Sequence, residues 1–422
     1  MADNTATLFQ EALKYSYGVN RVLYLFNEEV VMSNILGSVK KPVGGRGQFI
    51  MPIPIQNTGA WSGVAEGGTI PTPLAADFTE ASYSLKEFVG SYAITWKLMQ
   101  DSRNDKFAFQ QGIQASDDGL KRRIFRNINS DLLDDGRGRL AVLAGADDGA
   151  GGFTSTFLPR CEKGMLVDVV DTDNTTVHAS GLTVSAVNPV TRFVDLSAAI
   201  SSEAAGDCVV ISGTLDSPIF LHTNGILGVI DDGNPAAGNI GGIDRTTAGN
   251  EFWQSVVLSN SGTNRPLTED LLLQAMDYAR EKGGGNLTHW MSNLKILQRY
   301  HELLAGERFV ALTSPQAIGG GFGRKKMGGD SKNGETPYEF SGVPWHVDPY
   351  FHNNTVVGFD SKHFFLGTGE NEVPRPVSEV FGGVEMFKRT TTTTFQVEWY
   401  YQFQLLTDNP AGGVKIEDVA EA

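Results

Sequence analysis

Residues 43–86 join two properties that seldom share a segment. Pro52, Pro54, Pro71 and Pro73 follow Pro42, and Gly44, Gly45, Gly47, Gly59, Gly63, Gly67 and Gly68 lie among them, which together forbid a helix. Yet Phe49, Met51, Ile53 and Ile55 recur at every second position, the period of a strand. Pro52 and Pro54 both lack a donor on the same lateral side, so this strand can pair on one side only. A return strand begins near Phe78. Its apolar phase is odd at Ala81, Tyr83 and Leu85, then even at Phe88, Tyr92, Ile94 and Trp96. That switch of face predicts a bulge or a passage from one sheet to another. The segment therefore reads as a long two-stranded hairpin with a Gly-rich tip over residues 59–68. An isolated hairpin is marginal in water, so one this long must rest on something else.

The flanking segments are more ordinary. Residues 1–42 read as an arm, with apolar helical patches (Leu8, Phe9, Leu13, then Val22 to Val31) broken at Gly18 and Gly37. It packs either on its own domain or on a neighbouring subunit. Residues 106–134 predict a long helix with Ile113, Leu120, Ile124 and Ile128 on one stripe and Asp118, Lys121, Arg122 and Arg126 opposite. From 153 to 215, short β-type runs separated by turns predict a small antiparallel barrel or sandwich. Cys161 and Cys208 nearly bracket it; a disulfide is open, but two cysteines in 422 residues favour free thiols in a reducing compartment. Thr268 to Gly283 carries a full set of helix start and stop signals, and a second helix extends from Ser292 to Gly306, with Leu294, Leu297, Tyr300 and Leu304 on its stripe. The C-terminal run alternates at Phe395, Val397, Trp399, Tyr401, Phe403 and Leu405. A strand from Val384 to Leu406 is too long for one domain, so a break near Lys388 to Thr390 is expected.

Charge and motifs exclude several function classes. The net charge of −15 argues against a dedicated nucleic-acid binder, which needs a basic face. No apolar run spans a bilayer, and the first residues lack the basic-then-apolar pattern of a secretory signal. His301-Glu302 begins a zincin-like motif, but Ala305 stands where the second His is required. The loop from Gly319 to Lys326 has Gly and Lys in the wrong order for a phosphate-binding loop; it reads as a solvated loop, with Arg324, Lys325 and Lys326 as a basic patch. Asp171, Asp173 and Thr175 resemble the start of a calcium loop without its Gly and Glu. Neither a catalytic residue, a cofactor nor a metal site is expected, and the chain is expected not to be an enzyme.

The order of these parts resembles the major capsid protein of tailed bacteriophages, the Hong Kong 97-type shell fold. The segment EFSGVPWHVDPYF, then VVGFDSKHFFLG, is similar to a recurring stretch of that family. TEDLLLQAMDYAREKGG with THWMSNLKILQRYHELL resembles the helix pair before it, and QFQLLTDNPAGGVKIED looks like the family's ending. The resemblance implies an α+β fold with an N-terminal arm (1–42), an extended hairpin or E-loop (43–86), a peripheral domain with a spine helix (87–152, continued at 216–285), an axial domain (286–372) and C-terminal strands of the peripheral domain (373–422). The β region at 153–215 is then an inserted small all-β domain.

The same resemblance implies a shell protein that self-assembles into hexamers and pentamers of an icosahedral capsid. The shell encloses double-stranded DNA without sequence-specific binding or a membrane. The implied partners are a separate scaffolding protein, because the arm is too short to hold a built-in one, a portal, and a decoration protein as an optional addition. The location implied is the virion, assembled in the host cytoplasm. Inter-subunit contacts are expected at Leu8, Phe9, Leu13, Phe49, Met51, Ile53, Ile55, Trp61, Tyr83, Leu85, Arg122 and Arg126. No Lys lies between Val43 and Glu80, so no Lys–Asn cross-link is expected through the hairpin. Two other readings stand beside this one: an encapsulin-like compartment for protein cargo, and a soluble enzyme with the hairpin as a lid.

Overall fold

A computed structural model describes residues 30–40, 48–56, 59–72, 75–95, 106–172, 176–201, 203–213, 215–216, 219–235, 238–311, 338–369, 371, 373–380, 388–389 and 394–421. The predicted arm contacts Leu8, Phe9 and Leu13 and the basic loop at 319–326 lie outside these residues. The end of the arm is described. Helix α1 (Val31–Ile35) and strand β1 (Gly37–Lys40) bury Val30, Met32 and Leu36 in the chain's own core, so this part packs on its own domain.

Strand β2 (Gln48–Gln56) pairs antiparallel with β3 (Asp77–Ser84) and, among the described strands, with no other, as its two prolines require. At Leu85 the chain changes sheets: β4 (Lys86–Thr95) pairs with the strand Thr394–Thr407, from Lys86↔Phe403 to Thr95↔Thr394. The phase switch in the sequence is this passage.

Helix α2 (Lys106–Leu133) crosses the sheet that β4 joins. The approach is close because Gly90 has no side chain; a Cβ there would lie 2.8 Å from Ile124 Cδ1 and 3.2 Å from Leu120 Cδ1. Phe125, Ile128, Leu132 and Leu133 are buried beneath the helix. Lys121, expected on the solvent face, is instead buried. Its Nζ lies 2.6 Å from Asp117 and 5.0 Å from the centre of the Trp399 ring, and Trp399 Nε1 donates to Asp117 at 3.2 Å. A carboxylate one turn back and an aromatic face compensate the desolvated ammonium.

Strands β5 (Arg139–Val142), β6 (Gly152–Thr154), β7 (Leu166–Val170), β8 (Val177–Asn188), β9 (Phe193–Leu196) and β10 (Cys208–Ile211) form an antiparallel sheet in the order β5-β10-β7-β8-β9-β6. The Leu143↔Ser155 bridge, with Ala144 N–H donating to Thr154 O (2.9 Å) and Thr156 N–H to Val142 O (2.9 Å), ties the first strand to the last and closes a small barrel. Leu140, Phe153, Val167, Val169, Val184, Val194 and Val209 fill it. The barrel begins at Arg139 rather than at residue 153, because RLAV is too short and too near the helix stop to stand out as a strand. Cys161 and Cys208 are free and buried.

A buried ionic cluster joins helix and barrel. Asp134, at the end of α2, accepts from Arg139 Nε (3.0 Å), Nη2 (2.5 Å) and backbone N–H (3.0 Å), and faces His352 Nε2 at 3.2 Å. Arg160 Nη2 donates to Tyr350 O at 2.6 Å and its Nη1 to Arg139 O at 3.1 Å. Burial alone would raise the Asp134 carboxyl, but Arg139, His352 and Arg160 hold it well below the usual range.

After the short pair β11 (Leu215–Asp216) and β12 (Ile219–Phe220), and helix α3 (Ile226–Val229), comes a second layered unit. It holds β13 (Val256–Leu258), α4 (Glu269–Gly283), β14 (His289–Ser292), α5 (Leu294–Ala311), β15 (Tyr338–Phe340), β16 (Val343–Val347) and β17 (Val356–Phe359). Thr268 Oγ1 caps α4 by accepting from Leu271 N–H at 3.2 Å, and Gly284, one residue past the expected stop, adopts the left-handed C-cap at φ 70. Asn293 caps α5 through Ile296 N–H (2.9 Å), which makes Leu294 the first helical residue and leaves it exposed; the buried stripe is Ile296, Leu297 and Tyr300. The sheet runs β13-β22-β17-β14-β16-β15, its strand β22 (Gly413–Ile416) coming from the chain's end.

The remaining strands are β18 (Phe364–Thr368), β19 (Arg375–Pro376), β20 (Lys388–Arg389) and β21 (Thr394–Thr407). Their sheet runs β1-β18-β21-β19, with β4 and β20 also on β21. The expected break is a full reversal, since β20 pairs back on β21 at Lys388↔Gln396 and Arg389↔Phe395. Val397, Trp399, Tyr401, Phe403 and Leu405 point into the main core.

Candidate assembly surface

The hairpin has two unequal parts. At its base, Phe49, Met51 and Ile53 share an inner face with Ala81 and Tyr83, because paired residues project to the same side. Phe49, Ile53, Ala81 and Tyr83 are buried in the chain's own core, and Met51 and Leu85 pack against it. The expectation that Phe49, Ile53 and Tyr83 meet a neighbour is thereby corrected: the chain itself covers them. Their alternation marks the face that folding buries.

The outward face and the tip are not covered. Ile50, Ile55 and Phe78 project from the strands, and Val64 from the tip, all exposed. Trp61 is 100% exposed and Ile70 84%. Single exposed apolar residues are ordinary on most surfaces, but a projection carrying six of them is a surface waiting for a cover. Covering Trp61, Ile70 and Phe78 is worth ~1.5–3 kcal/mol each. Sequence reasoning misses Ile50, Val64, Ile70 and Phe78; the signal available for Ile50 and Phe78 is their phase, opposite to that of Phe49 and Tyr83. From Gln48 to Ser84 the hairpin has no Lys, Arg or His, and carries Glu66, Asp77 and Glu80, so any surface that covers it must tolerate negative charge.

The two arginines of α2 part company. Arg122 is exposed, whereas Arg126 is partly buried and forms an ion pair and hydrogen bond with Glu162 of the same chain, with Arg123 also near that carboxylate at 4.0 Å. Arg126 is therefore engaged within the chain, a partner that sequence spacing does not reveal. Among the described residues no group of three metal-ligating side chains occurs, and no helix is long and apolar enough to cross a membrane.

No protein-family model matches the chain, and no curated protein matches it. Solved structures do. The chain is similar to the capsid asymmetric unit of cyanophage A-1(L), at 11% identity and a TM-score of 0.52, with 92% of each chain covered. It also matches, more loosely, the capsid of the native GTA particle (10% identity, 94% of this chain and 91% of that one, TM-score 0.42) and the holo-SrpI encapsulin complex of Synechococcus elongatus (8%, 92% and 87%, TM-score 0.42). The cyanophage likeness extends over nearly the whole of both chains, so the fold of this protein is a mixed helix-and-strand fold of the phage capsid kind.

Proposed function

We propose that this chain is a major capsid protein, whose copies assemble into a closed icosahedral shell around double-stranded DNA. The observation that carries the reading is the hairpin: its base is covered by its own chain, while its tip projects Trp61 and Ile70 into solvent, on a capsid-type fold. A closed lattice gives every such projection a neighbour and leaves none uncovered.

In this reading residues 1–42 are the arm, 43–86 the E-loop, 87–138 (in place of 87–152) and 216–285 the peripheral domain with α2 as spine helix, 286–372 the axial domain and 373–422 the returning strands of the peripheral domain. The barrel is an insertion between peripheral segments, starting at Arg139. Hexamers and pentamers, a separate scaffolding protein, a portal and an optional decoration protein are the partners, and the virion is the location. The net charge of −15 suits a wall that encloses DNA without gripping it. Of the expected contacts, Ile55, Trp61 and Arg122 remain on offer to a neighbour, with Ile50, Val64, Ile70 and Phe78 added.

Sedimentation and electron microscopy of purified protein test this. Particles of very large mass containing nucleic acid are expected when the chain is produced with its partners. A discrete species of a few subunits overturns the reading, and large particles filled with protein cargo replace it with the compartment reading.

A further inference from the structure

The hairpin's inner face lands on two places where the body has no side chain. Phe49 and Tyr83 are register partners. Below Phe49 lies Gly367 of β18, where a Cβ would come within 3.1 Å of Phe49 Cε2. Below Ala81 and Tyr83 lies Gly241, at φ 62, where a Cβ would sit 2.9 Å from Ala81 Cβ and 3.2 Å from Tyr83 Cζ. A left-handed glycine is needed there twice over, for its backbone and for the space above it.

The segment that presents Gly241 is itself fixed. Trp253 Nε1 donates to Ile240 O at 2.8 Å. Arg245 is buried, and its guanidinium donates to Gly228 O (3.2 Å), Gly233 O (3.1 Å) and Val229 O (2.5 Å), gathering the backbone of 228–233 around one cation. From the other side, the Tyr83 hydroxyl donates to Thr407 O at 2.8 Å, pinning β3 to the end of β21. The inner aromatic pair is thus held from three directions, while the tip residues Trp61, Val64 and Ile70 stand exposed.

We infer that Gly241, Gly367 and the Tyr83–Thr407 bond form a seat that fixes the aim of the hairpin within the single chain, so that the tip is presented preformed to a neighbour. Gly241 and Tyr83 are positioning residues: both are buried within the chain's own fold, and act on assembly by holding the tip in its competent direction. The consequence for assembly rests on the capsid reading; the seat itself does not. Apparent affinity between copies falls by the fraction of time the tip is correctly aimed, so a seat loosened to about one-tenth occupancy weakens assembly about tenfold.

The test uses full-length unassembled protein with nitroxide labels on Thr69→Cys at the tip and Gln274→Cys on α4. Cys161 and Cys208 stay unlabelled, because burial pushes their thiols up to about 12 and about 11. A narrow tip-to-body distance distribution is expected in the otherwise native chain. Gly241→Val and Tyr83→Phe should broaden or shift it and slow particle formation, with Tyr83→Phe keeping a native circular dichroism spectrum. If Gly241→Val does not fold, Gly241→Ala with Tyr83→Phe decides the matter. A broad distribution in the native chain overturns the inference, as does an unchanged distribution in both variants, or a broadened one with unchanged assembly. If the native chain forms no particles even when produced with its partners, the capsid reading fails, and the distance distributions alone judge the seat.

Discussion

Two histidines near the end of α2 titrate in opposite directions, and their difference is measurable. His352 is buried, and that burial together with the adjacent Arg139 guanidinium pushes its imidazole down to about 4 from its ordinary 6.5. Above 6.5 neither folded nor unfolded chain binds this proton. Between 6.5 and about 4 the unfolded chain accepts a proton that the fold refuses, so stability falls as pH drops through that window, by about 3 kcal/mol at most. Replacing His352→Phe should flatten that acid limb, read as the urea midpoint near neutral pH and again at about pH 4.5. His222 is the reverse case. Burial would lower it, but Asp131, hydrogen-bonded to Nδ1 at 2.9 Å, outweighs burial and raises it. Its stabilisation is complete below 6.5 and is lost as pH rises through the raised folded value. The cost of His222→Gln should therefore be larger in mild acid than at alkaline pH, and an equal cost at both would refute the assignment.

At the scale of elements, α2 is held on its sheet by packing against β4 at Gly90 and by the Asp117–Lys121 pair against Trp399 of β21. Removing one member of a buried pair strips the other of its counter-charge. Asp117→Ala should destabilise the chain by about 3–5 kcal/mol, while Asp117→Leu combined with Lys121→Met should cost far less. Thermal unfolding of the two variants side by side checks the ordering. The same helix shows what a sequence can and cannot reveal. Its extent is legible, because Ile113, Leu120, Ile124 and Ile128 fall on one stripe and no proline interrupts Lys106–Leu133. The burial of Lys121 is not, because Trp399 is remote in sequence and supplied by another strand. The hairpin teaches the same lesson. Two prolines announce a strand with one partner, and a phase switch announces the change of sheet. But alternation at Phe49, Ile53 and Tyr83 reports burial without naming what does the burying, so residues covered by the chain itself look like contacts for a neighbour. β5 escapes notice because four residues beside a helix stop carry too little periodicity.

For the whole molecule, the division between a self-covered base and an uncovered tip separates folding from assembly. Trp61 is fully exposed in the single chain, so Trp61→Glu should leave its melting temperature within the change expected of ~0.5 kcal/mol while abolishing large particles in sedimentation. Loss of stability in step with loss of particles would contradict this. The barrel has its own consequence. Its entry and exit strands, β5 and β10, are hydrogen-bonded neighbours, with Leu143 N–H donating to Asp207 O and Gly206 N–H to Leu143 O, each at 2.9 Å. The polypeptide departs and comes home through a doorway only ~5 Å wide. Any foreign module whose termini lie that near each other fits the same doorway, which makes Arg139 and Val210, paired where β5 enters and β10 leaves, natural cut points for exchanging the outwork while leaving the rest of the architecture in place.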